Sequence, residues 1–147
     1  MKKIIIFCFI ILFVITTGYI SAENKAETGT LTIIVNGFKN DEGKAMIALC
    51  NSEECFKNTE KAVLKEMAVI KNKTAEWIIN GLLYGTYSIS VYHDKNSNNK
   101  LDKNALGVPK EAYGFSNNAR GIFGPPDYED VIFMFDKEEM TVSLRVK

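Results

Sequence analysis

The chain reads as an all-β protein, a sandwich of about seven short antiparallel strands. Three observations predict this class. Apolar and polar residues alternate in run after run, from Leu31-Thr32-Ile33 to Val142-Ser143-Leu144. Clusters rich in Gly, Asn and Asp separate the runs. Only Ser52 to Lys65 carries any helical spacing, enough for at most one short helix. A strand with period-two alternation buries a single face, so two sheets must meet over a common core.

The first strand places Leu31, Ile33 and Val35 on one face. A turn-rich segment, Gly37 to Gly43, leads to a second run with Ala45, Ile47 and Leu49 in phase, and the two read as a hairpin. In the helical stretch, Phe56, Val63, Leu64 and Met67 share a face, with Thr59 as a candidate N-cap. A brief strand is expected over Glu66–Ile70 and another around Ala75, Trp77 and Ile79. After the turn Asn80 to Gly85 comes the clearest half-buried strand, with Tyr87, Ile89, Val91 and His93 inward and Thr86, Ser88, Ser90 and Tyr92 outward. Val131, Phe133 and Phe135 restart the alternation, and Met140, Val142, Leu144 and Val146 face inward on the last strand. Between them, residues 94–130 form one long connection whose aromatics Tyr113, Phe115, Phe123 and Tyr128 argue for packing over disorder.

The first residues have the layout of an export signal. Lys2 and Lys3 precede an unbroken apolar run, Ile4 to Ile15, and Ile20-Ser21-Ala22 supplies a small residue before a cut. The run is short for a membrane span, which needs about 20 residues. Residues 1–22 are therefore expected to be a signal peptide, 23–29 a flexible leader and 30–147 one sandwich domain destined for the periplasm or the exterior. Without Lys2 and Lys3, the 18 Lys and Arg become 16 against 18 Asp and Glu, a net of −2. Basic blocks that would read as a nucleic-acid surface, and lysine-rich amphipathic helices that would read as a membrane surface, are both missing from the sequence. Cys50 and Cys55 fit either a tight disulfide in an oxidising compartment or two unpaired thiols; the spacing is not that of a redox Cys-x-x-Cys.

The chemistry concentrates after Tyr92. Counting Asp94 as position one, Asn96, Asn98, the Lys100 carbonyl and Asp102 fall at three, five, seven and nine, the first part of a calcium loop. Position twelve is Ala105, where a calcium loop of that kind carries glutamate, so further oxygens would have to come from Glu111, Asp127, Glu129 or Asp130. Calcium is the one candidate cofactor. The same spacing equally suits an Asx-rich turn whose side chains bond to nearby backbone N–H groups. Zinc is disfavoured because His93 is the single histidine.

Several segments of this chain together carry a resemblance. They are Gly81-Leu82-Leu83-Tyr84-Gly85-Thr86-Tyr87, Val91-Tyr92-His93-Asp94, Asn96 to Asp102, Gly107 to Asn118 and Gly124-Pro125-Pro126-Asp127-Tyr128-Glu129-Asp130. From Leu31 to Val146 the chain resembles the exported bacterial proteins catalogued as domain of unknown function 2141. The resemblance implies a small exported domain with a prealbumin-like sandwich, and it implies no activity. Asn99 departs from the pattern, which has glycine there; asparagine tolerates a left-handed backbone, so the turn survives. The cysteine pair lies outside the resemblance.

Two classes of function remain. One is a non-catalytic binding or structural module of the cell envelope, its partner an envelope protein or a glycan and its surface drawn from His93, Glu111, Tyr113, Phe115 and Asn117. In that reading the loop aromatics either line a groove or plug the end of the sandwich. The other is a small-molecule hydrolase using His93 with a loop carboxylate. Adjacent strand residues point to opposite faces, so His93 and Asp94 make a poor dyad, and no residue is assigned a catalytic role.

Overall fold

A computed structural model describes residues 27–147. The expected signal peptide and residues 23–26 lie outside the described residues. The fold is an all-β sandwich of eight strands in two sheets. The strands are β1 (Thr28–Asn36), β2 (Lys44–Cys50), β3 (Leu64–Val69), β4 (Thr74–Leu83), β5 (Gly85–Asp94), β6 (Tyr113–Phe115), β7 (Phe133–Phe135) and β8 (Glu139–Arg145). The smaller sheet has the order β4-β1-β8 and the larger β3-β2-β5-β6, with β7 also paired to β5. β6 and β7 share one edge of β5, β6 opposite Ser90–Tyr92 and β7 opposite Gly85–Tyr87.

The alternation chose the buried faces. Leu31, Ile33 and Val35 meet Ala45, Ile47, Leu49, Tyr87, Ile89 and Val91 across the sandwich, with Phe135 and Leu144 between. Alternation does not choose partners, and three pairings differ from the expectation. β1 and β2 form no hairpin; they lie in opposite sheets, and Gly37 to Gly43 crosses between the layers. β1 and β8 run parallel, Ile33 opposite Val142, so the sandwich is not wholly antiparallel. The eighth strand, β6, is a three-residue piece inside the long connection, too short to leave a periodic signal. The 94–130 stretch is also closed by a 3-10 turn at Ser116–Asn118 and a single helical turn, α2 (Tyr128–Val131).

The expected helix shrinks to one turn, α1 (Glu53–Lys57), capped by Ser52, whose hydroxyl accepts from the Cys55 N–H at 3.3 Å. Thr59 opens a separate 3-10 turn capped by Asn58. With α2 there are two single-turn helices, one more than expected. Val63, Leu64 and Met67 share no helical face: β3 starts at Leu64, and all three side chains are exposed. At the start of the described chain, β1 already includes Thr28 and Gly29, and the Glu27 carbonyl accepts from Tyr84 N–H, so the leader is tied down before residue 30.

The two sheets are sewn together at the β6 edge. Tyr113 and Lys147 exchange both backbone hydrogen bonds, at 3.2 and 3.1 Å. A Cβ on Gly114 would lie 2.5 Å from the Arg145 carbonyl oxygen, so only glycine permits this approach. Arg120 then clips the seam, donating to the carbonyls of Tyr113 and Arg145 while its guanidinium lies over the Tyr113 ring.

Candidate functional site: a groove on the outer face of the larger sheet

Side chains on one face of a sheet line up across strands by register. In the larger sheet, Met67, Met46, Tyr92 and Tyr113 form one such row on the outward face. The next row is Lys65, Ala48, Ser90 and Phe115. Rows two residues apart along a strand are separated by roughly 7 Å. Ala48 and Ser90 are small, so the second row sinks between taller neighbours. The result is a groove of about 600 Å³. Phe56 from α1 walls one end, its ring 5.6 Å from that of Phe115. Asn99 and Leu101 wall the other, and Pro125 reaches the rim.

The Tyr92 phenol is held protonated. Burial, reinforced by the negative charges of Asp94, Glu111 and Glu60, pushes its pKa up to about 12. It therefore presents an O–H donor within a largely apolar floor throughout the ordinary pH range. Charges of both signs, Lys44, Lys65, Glu60 and Glu66, stand among the lining residues.

Of the five residues expected to form a ligand surface, Tyr113 and Phe115 line this groove. The other three are elsewhere. His93 is 5% exposed, on the inward face, with its ring edge-on to Phe38 at 5.1 Å. Its Nε2 lies 2.7 Å from the Glu42 carbonyl oxygen; a carbonyl only accepts, so Nε2 carries the proton. Glu111 receives the N–H groups of Lys95 and Asp102, both at 3.0 Å. Asn117, with φ of 58°, donates its amide to the carbonyls of Asp130 and Ile132 and lashes the 3-10 turn to α2.

The Asp94–Asp102 segment is a closed Asx knot. Asp94 is 1% exposed, and its two carboxylate oxygens accept from Asn98 N–H at 3.0 Å and Asn99 N–H at 2.7 Å. The Asn96 and Asn98 side-chain oxygens accept from the N–H groups of Asn98 and Lys100. Both side-chain amides donate to Asp102, which leaves Lys100 contributing its N–H to the knot. Among the described residues, no group of three or more His, Cys, Asp or Glu is placed to hold a metal ion. Each of the Asp94, Asn96 and Asn98 side-chain oxygens accepts one N–H group and keeps a second lone pair. Ser97 and Asn99 take φ of 59° and 61°, the left-handed conformations such a turn requires.

Cys50 and Cys55 are joined in a disulfide with Cα atoms 5.5 Å apart. The bond ties α1, and with it Phe56, to the end of β2, so it braces one wall of the groove.

Met46, Met67, Tyr92 and Phe56 were not among the residues expected to form the site. A signal was present: on β2 and β5 the face expected to meet water carries Met46 and Tyr92, both too apolar for a simple solvent face.

The family model that matches residues 33–143 is described as an uncharacterized protein conserved in bacteria, domain of unknown function 2141. The chain belongs to this family. The match runs from β1 to β8 and so spans the sandwich, the Asx knot and the strands that floor the groove. No curated protein matches, and no solved structure does.

Proposed function

We propose that this member of the domain of unknown function 2141 family is an exported, non-catalytic binding module of the cell envelope, working through the groove on its larger sheet. The observation that carries the reading is the composition of that outer face. An unpartnered sheet face normally carries polar side chains; this one carries Met46, Met67, Tyr92, Tyr113 and Phe115 in register. Such a floor suits a partner with an apolar face, an aromatic or aliphatic side chain of an envelope protein or the flat face of a sugar, and the phenols orient it.

His93 supports binding over hydrolysis. Its Nε2 proton is committed to Glu42, its ring is covered by Phe38, and it lies beneath the sheet and away from the groove. The carboxylate that would partner it, Glu111, is bound to two backbone N–H groups. Export accords with the Lys2–Ala22 pattern and with the disulfide. No helix among the described residues is long and apolar enough to cross a membrane.

Two measurements test the reading. Intact mass of the protein recovered from the envelope or medium should correspond to a chain beginning at Glu23; recovery of the uncut chain in the cytoplasm would remove the export claim. An environment-sensitive apolar dye such as anilinonaphthalene sulfonate should bind the native protein, and Ser90→Trp, which fills the depression, should lose that signal while keeping its β-sheet circular dichroism. Undiminished dye binding by folded Ser90→Trp would place the binding surface elsewhere.

A further inference from the structure

The long connection carries, close to the groove, an apolar prong that none of the described residues covers. Ile122 is 91% exposed and Phe123 100% exposed. They form the tip of a turn whose base is tight: a Cβ on Gly121 would lie 2.4 Å from the Pro125 carbonyl oxygen and 2.6 Å from that of Gly124. Pro125, immediately after the tip, lines the groove. So the tip stands beside the groove, yet neither Ile122 nor Phe123 lines it.

We propose that the Ile122–Phe123 prong of one molecule fills the outer-face groove of a second copy, and that the exchange is reciprocal, giving a two-fold dimer. The proposal rests on the groove being a binding surface and names its occupant. Three arguments favour a second copy. First, the prong cannot serve its own groove. Its neighbour Pro125 already holds one end at the rim, and the short closed turn from Gly121 to Pro125 leaves no length to fold back. Second, prong and rim are adjacent, so a single two-fold axis beside Pro125 brings each prong to the other molecule's groove at once. That is the self-complementary arrangement of an isologous interface. Third, the prong is pre-formed and its aromatic side chain has few rotatable bonds, so docking loses little conformational freedom. Lys44 and Lys65 balance Glu60 and Glu66 among the residues lining the groove, so it presents no net charge to the net-negative second copy.

The test is sedimentation of the purified exported protein over a micromolar concentration series, with two variants and their mixture. Wild type should show a concentration-dependent dimer. Phe123→Ser removes the prong and Ser90→Trp blocks the groove; each should weaken dimerisation at least about tenfold, as loss of a central aromatic anchor does. Mixed together, the two should form a heterodimer, because the intact prong of one still meets the intact groove of the other. If Ser90→Trp fails to fold, Met46→Lys gives the same comparison. A wild type that stays monomeric while dye binding is lost in Ser90→Trp would overturn the exchange and leave the groove reading standing. A monomer with no groove-dependent dye binding would overturn both. A dimer indifferent to Phe123→Ser would overturn the exchange. So would a Phe123→Ser variant whose one defect is lost binding to lipid vesicles, which would assign the prong to a membrane surface.

Discussion

The two halves of the long connection between β5 and β7 solve the same problem in opposite ways. From Asp94 to Glu111 the chain has almost no apolar contact to spend, and it is held by carboxylates and amides turned inward onto backbone N–H groups. From Tyr113 to Tyr128 ring contacts join the hydrogen bonds of Asn117 and Arg120, with Phe115 and Tyr128 both against Phe56, and the chain leaves Ile122 and Phe123 bare. The difference teaches which side chains are available for work. The oxygens of the first half are turned onto their own backbone, whereas the apolar tip beside the groove points away from the described chain.

The comparison breaks first at Asp94. Asp94→Ala should cost about 3 kcal/mol, because a buried carboxylate that fixes two N–H groups of the exposed turn above it is lost. Asp94→Asn should cost roughly half as much, since an amide keeps one acceptor. Urea unfolding measures both, and a loss below about 1 kcal/mol for the alanine variant would mean that the knot is not structural. Glu111→Ala comes next, at about 1.5 kcal/mol, because the side chain is half-buried and water can reach the freed N–H groups of Lys95 and Asp102. Ser88 supplies the opposite case. Its hydroxyl is fully buried at the α1 end of the outer face and has no hydrogen-bond partner among the described residues. Ser88→Ala should stabilise the fold by about 1 kcal/mol in the same measurement, the reverse sign to Asp94→Ala.

Calcium provides a sharper version of the contrast. With Asp94 engaged by two N–H groups, excess calcium against a chelator should move the melting midpoint by less than about 2 °C. A larger rise that vanishes in Asp102→Ala would show that the knot opens to bind a cation. The effect of Tyr92 ionisation is absent at neutral pH and confined to alkaline solution. Its folded pKa is raised above its unfolded value of 10.0 to about 12, so its contribution is intact below pH 10 and is lost as the pH climbs through 12. Tyr92→Phe should flatten the alkaline part of the stability curve, and an unchanged slope between pH 10 and 12 would contradict the burial assigned to this phenol.

Much of the architecture was legible because burial leaves a period. The inward residues of β1, β2, β5 and β8 could be read from alternation, and most of them form the core, with Met140 and Val142 partly buried against it. Pairing left no such trace. Nothing in Leu31-Thr32-Ile33 distinguishes a hairpin partner in β2 from a parallel neighbour in β8, since either partner sees the same two faces. β6 was invisible because three residues make no pattern, and its position depends on Gly114 meeting Arg145 across the seam. The site was half legible. Tyr113 and Phe115 stood out as aromatics in a polar connection, but Met46, Met67 and Tyr92 acquire meaning from register, which aligns residues far apart in the chain into one row. His93 and Glu111 drew attention for their chemistry, and the structure commits both to holding backbone in place.

The most direct measurement is a fluorescence titration of the apolar dye against wild type and folded Ser90→Trp, side by side and at high dilution, where no second copy fills the groove. Saturable binding by the first and none by the second would establish the outer face of the larger sheet as the working surface. Equal binding by both, or binding by neither, would contradict it.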